Sequence, residues 1–159
     1  RNGRLACVTR HTTEFCGTIA VTPALPLEFI ERWNKATEGT PGKRYVSSYR
    51  DGVSDEPDML PGFPGRKPRA WCQWVLVANQ DDAYTGIEWD GNEKFYDYIN
   101  WLQFLVAAIR NVEPDAEFEG FIEWDGEEHG DIGALRVNAD GQVEVGYPPV
   151  LSDYTWREV

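Results

Sequence analysis

Two pairs of carboxylates carry the first hint of chemistry in this chain. Glu88 and Asp90 lie in GIEWDG at 86–91, and Glu123 and Asp125 lie in FIEWDG at 121–126. Held side by side, paired carboxylates share a proton in acid–base work or hold a divalent cation. That chemistry needs the two strands to be neighbours in register. A structural reading covers the same five letters. Ile87 and Trp89 share one face of a strand, as do Ile122 and Trp124, and each glutamate points away. The Asp-Gly that follows is a turn signal, with aspartate bonding to the backbone beyond it and glycine accepting positive φ. No glycosidase, nuclease or EF-hand pattern surrounds the carboxylates, so the structural reading is the stronger.

Other chemistry is thinly represented. His11 and His129 are the two histidines. EEHGD gathers Glu127, Glu128, His129 and Asp131 in a short loop without HExxH or a second histidine, which is a poor zinc site. Cys7, Cys16 and Cys72 make no CxxC pair. Cys16 and Cys72 sit within apolar runs and read as buried thiols, and the unarranged set favours a reducing compartment, the cytoplasm, with a single disulfide as the alternative. GxGxxG, GxxxxGK[ST] and GxSxG are all missing. GFPGRKP at 62–68 has glycine and basic residues, yet its prolines lack the amide donors of a phosphate cradle. No catalytic residue, metal site or cofactor is expected.

Charge is the better guide. The chain carries 27 acidic and 15 basic residues, a net −12. Residues 1–80 balance at +3, and residues 81–159, with 4 basic and 19 acidic side chains, at −15. From 113 to 131 stand nine acidic residues and no basic one: Glu113, Asp115, Glu117, Glu119, Glu123, Asp125, Glu127, Glu128 and Asp131. Such a field repels phosphate backbones and acidic headgroups, which disfavours nucleic acid and membrane partners. It attracts cationic proteins. The expected function is therefore a non-enzymatic acidic domain that engages or inhibits a basic partner through these nine residues. A nucleic-acid-binding protein or a basic toxin fits that description. Homo-oligomerisation along a sheet edge is the structural alternative.

A second class is a small enzyme or ligand binder. The long stretch 37–69 would cover its pocket, and Arg44, Tyr45, Tyr49, Arg50, Glu88 and Asp90 would line it.

The elements that must position these residues follow from periodicity. Length and an aromatic share of 13% suit one domain over 15–159, preceded by a flexible arm at 1–14. No apolar run reaches membrane-spanning length, and the opening residues do not read as a signal peptide. FCGTIAV (15–21) reads as a strand, and a helix follows from Pro26 to Gly39, burying Leu27, Ile30 and Trp33. RYVSSYR (44–50) suits a short strand in the long loop. AWCQWVLVAN (70–79) and YTGIEW (84–89) are strands. A helix runs from an Asn92 cap to about Arg110 on a stripe including Phe95, Leu102 and Ile109. FEGFIEW, IGALRV and QVEVGY are strands, and the tail packs across the body through Trp156. The order β-α-β-β-α-β predicts a ferredoxin-like α+β fold, antiparallel, with two helices on one face and a C-terminal β-hairpin as extension.

Overall fold

The computed structural model describes residues 13–38, 59–92, 95–148 and 155–159. Arg44, Tyr45, Tyr49, Arg50, the strand expected at 44–50 and nearly all of the expected arm lie outside them.

Period-two alternation sends Phe15, Ile19, Val21 and Leu25 of β1 (Glu14–Leu25) into the core. The same rule buries Trp74 and Leu76 of β2 (Trp74–Ala78) and Ile87 of β3 (Tyr84–Trp89). It buries Ile122 and Trp124 of β4 (Glu117–Asp125), Leu135 and Val137 of β5 (Ile132–Val137), and Val143 and Val145 of β6 (Val143–Tyr147). With β7 (Thr155–Glu158) these strands form one sheet in the order β2-β3-β1-β4-β5-β6-β7, every neighbouring pair antiparallel. The first four strands and two helices make a ferredoxin-like core, and β5, β6 and β7 extend it as a meander.

Both helices cover the face that the buried residues share. α1 (Leu27–Thr37) buries Phe29, Ile30 and Trp33. α2 (Tyr98–Val112) buries Trp101, Leu102, Leu105, Val106 and Ile109. Each such side chain contributes roughly 1.5–3 kcal/mol when removed from water, far more than any propensity difference. That is why β-branched Val106 and Ile109 sit comfortably inside a helix.

Several boundaries differ from the sequence reading. β1 begins at Glu14 and runs past Val21 to Leu25, carrying Pro23 where its ladder with β3 becomes irregular between Ala20 and Leu25. Leu27 is 65% exposed, and Phe29 takes its place in the core. β2 starts at Trp74 instead of residue 70. The preceding Cys72 and Gln73 are buried in irregular backbone. α2 starts at Tyr98, not near Asn92. Its N-cap Asp97 adopts φ 59, and the carboxylate accepts from Asn100 Nδ2 at 2.6 Å and from the Arg69 amide at 2.9 Å. Phe95 is buried but lies ahead of the helix. The tail forms β7 on β6 rather than crossing the body.

Cysteine usage is also corrected. Cys72 is a free, buried thiol, with its pKa pushed up by desolvation. Cys16, expected as a thiol, is disulfide-bonded, and its partner lies outside the described residues.

Candidate functional site

β3 and β4 both run antiparallel to β1 and flank it, so they run parallel to each other. The two IEWDG copies therefore finish at the same end of the sheet, on either side of Phe15. Trp124 is the register partner of Phe15, and the Trp89 ring centroid lies 5.5 Å from it. Each indole finds a side-chain acceptor: Trp89 Nε1 donates to Gln73 Oε1, and Trp124 Nε1 to Asp131 Oδ1, both at 3.1 Å. Trp74, Phe95 and Tyr98 close around Phe15 with centroid distances of 5.1, 5.7 and 5.0 Å. Burial, with Asp131 and Tyr147 nearby, pushes the Tyr98 phenol up to about 12.

The Asp-Gly turn holds in one copy. Asp90 Oδ1 accepts from the Asn92 amide at 2.8 Å, and Gly91 has φ 82. In the other, Asp125 is still a strand residue. Gly126 leaves room there for the Asp131 side chain, which would have to shift to admit a Cβ.

The repeat does not make a carboxylate pair. β1 intervenes, and Thr18 Oγ1 donates to Glu88 Oε1 at 2.7 Å. Glu123 lies opposite Cys16 on the other side. Two strand spacings, about 10 Å across the sheet, and an offset of two residues along the ladder separate the glutamates, too far for a shared proton or one cation. Among the described residues no group of three acidic, cysteine or histidine side chains is placed to hold a metal.

What the register does assemble is a row. Residues 117, 119, 121, 123 and 125 of β4 face away from the helices, because Phe118, Ile122 and Trp124 face towards them. Glu117, Glu119, Glu123 and Asp125 thus share the open face with Phe121, which is 43% exposed. Neighbouring strands add Glu14, opposite Asp125, and Glu88, beside Thr18. Further across stand Glu144 and its register partner Glu158. The described basic side chain of this face, Arg136, pairs with Glu144 at 2.8 Å and lies 4.0 Å over the Trp156 ring. Trp156 in turn meets Phe121 edge-on at 6.2 Å. Sequence reasoning missed Glu14, Glu144, Glu158 and this aromatic pair, since only the strand order and register bring them onto one face with the β4 row.

The other expected partner-binding residues scatter. Glu113 caps the C-terminus of α2, and Asp115 lies in the turn to β4. Glu127 and Glu128 are exposed in the β4–β5 loop. Asp131 closes that loop, its carbonyl accepting from the Gly126 amide at 2.7 Å and its carboxylate holding Trp124. Of the alternative pocket, Glu88 and Asp90 do not line either of two cavities formed by other described residues.

One cavity, about 460 Å³, lies beside Arg110, whose Nη2 donates to the Ala139 carbonyl at 3.1 Å. That arginine braces the β5–β6 turn, lying against Gly141. The other, about 520 Å³, lies between residues 66–69 and α2. No helix among the described residues is long and apolar enough to cross a membrane. No known protein family matches the chain, and neither a curated protein nor a solved structure does.

Proposed function

We propose that the chain is a non-enzymatic binding domain that engages, and thereby inhibits, a basic protein through the open face of its sheet. The alternation of β4 supports this reading: Glu117, Glu119, Glu123 and Asp125 share one side of a rigid strand, with Glu14 and Glu88 alongside. Carboxylates fixed on a sheet lose little conformational entropy on meeting a cationic surface, and their summed field accelerates the encounter. Phe121 supplies an apolar contact among them, of the kind that slows dissociation.

Native affinity capture on the immobilised domain tests the proposal. The captured partner should be a basic protein, released by added salt and lost with the Glu117→Lys, Glu119→Lys, Asp125→Lys triple variant. Retention of the same partner by the folded triple variant would overturn the reading.

A further inference from the structure

We propose that the groove between residues 66–69 and the first turns of α2 binds a small phosphate-bearing molecule, with Arg66 and Arg69 as its anion-binding groups. This groove has about 520 Å³ of space, within the usual range of small-molecule sites, and is lined by Arg66, Arg69, Asn100, Gln103 and Phe104 among others. It is locally cationic on a chain of net charge −12, and its one carboxylate, Asp97, is already engaged. Asp97 accepts from the Arg69 amide and from Asn100 Nδ2.

The backbone that carries the two arginines is pinned. Arg66 bridges to Met59 across a small antiparallel turn. The Lys67 ammonium donates to the Pro68 and Ala70 carbonyls, both at 3.2 Å, and stands 5.9 Å from the Trp101 ring centroid. The Arg69 carbonyl accepts from Trp101 Nε1 at 2.9 Å. Lys67 is thus spent on the fold. The exposed side chains of Arg66 and Arg69 form no ion pair with a described residue.

Prolines 64 and 68 rule out the usual cradle of backbone amides. Here the donors are guanidinium groups, which suit phosphate because each offers two parallel N–H bonds to its oxygens. Phe104 packs on Trp101 and Trp33 at 5.8 and 6.3 Å and presents an apolar wall beside them. The matching ligand is a phosphate monoester with an apolar or planar group attached. A small dianion can occupy such a local site, whereas a long polyanion meets the field of the whole protein.

Phenyl phosphate, inorganic phosphate and benzoate serve as probes, titrated calorimetrically and by NMR. Phenyl phosphate should bind with a dissociation constant of about 1 mM or tighter. It should bind more tightly than inorganic phosphate or benzoate, and should shift the Trp101 indole N–H and Gln103 amide resonances. The Arg66→Ala, Arg69→Ala double variant should weaken it at least about tenfold. Both side chains are exposed, so the variant keeps its fold, checked by circular dichroism. Asp125→Lys should leave this binding unchanged, which separates it from the acidic face. Undetectable phenyl phosphate binding, equal binding by the double variant, or equal preference for benzoate would each overturn the assignment.

Discussion

Glu14 and Asp125 are Cα partners across the β1–β4 ladder, so two like charges stand directly opposite each other. Their side chains begin about 5 Å apart. In a water-like dielectric that separation gives a repulsion of about 0.8 kcal/mol, and screening at physiological salt reduces it to about half. Asp125→Lys replaces repulsion with attraction, so the swing is about twice as large: about 0.8 kcal/mol at physiological salt and up to about 1.6 kcal/mol at low salt. For a domain of this size each kcal/mol moves the thermal midpoint by about 2–4 °C. The single substitution should therefore raise the midpoint by about 3–6 °C at low salt and by about half that at physiological salt. In 1 M salt, where the screening length is about 3 Å, the gain should nearly vanish. Thermal melts by circular dichroism at three salt concentrations, with Glu14→Gln as the second arm of a double-mutant cycle, isolate the pair. The same variant should bind a basic partner less well. Opposed changes in stability and binding mark a surface retained at a cost to the fold. If Asp125→Lys lowers the midpoint at every salt concentration, the carboxylate is locally satisfied and the picture of a self-repelling row is wrong.

Three further outcomes follow from the core and its rim. Gly120 has φ 92, and a Cβ there would stand 2.6 Å from the Thr18 carbonyl oxygen, so Gly120→Ala should cost about 1–3 kcal/mol in denaturant melts. Thiol titration of the unfolded, unreduced chain should count one free thiol, from Cys72; three would refute the disulfide at Cys16. Tyr98 ionises at about 12 in the fold and at about 10 when unfolded, so the unfolded chain loses its proton first and stability falls as pH rises between those values. Tyr98→Phe should flatten that part of the stability profile, and an unchanged slope would place the phenol in solvent.

How much of this was legible in the sequence depends on how local each signal is. β3 and β5 match the runs YTGIEW and IGALRV because alternation and flanking turns define them within six residues. The sequence starts α2 too early because Asn92 mimics a cap and Phe95, a true core residue, falls in phase with the helical stripe although it lies ahead of the helix. The true start depends on Asp97 holding the Arg69 amide, 28 residues away in sequence. Leu27 and Phe29 exchanged roles because a short helix has few apolar positions to fix its phase. Packing against Phe63, 6.0 Å from Phe29, chose between them. Cys16 shows no local sign of a disulfide, since pairing depends on which residue the fold brings opposite.

The face of β4 shows why the acidic block was visible while its arrangement was not. Nine carboxylates between 113 and 131 suggest one surface, yet only those in phase with the strand share it. Ile122 and Trp124, both buried, fix that phase, because a one-residue slip would drive all four glutamate and aspartate side chains of β4 into the core. Burying one unpaired carboxylate costs several kcal/mol, so four cannot be tolerated. The same alternation that folds the strand therefore also sets its charges outward. The IEWDG phrase marks the place where both requirements meet: Ile and Trp hold the register from inside, while Glu123 and Asp125 stand on the outer side. In the first copy Glu88 takes the same outward position but is tied to Thr18. Charge on this sheet is thus a consequence of register, and any change that shifts β4 by one residue abolishes the fold and the acidic face together.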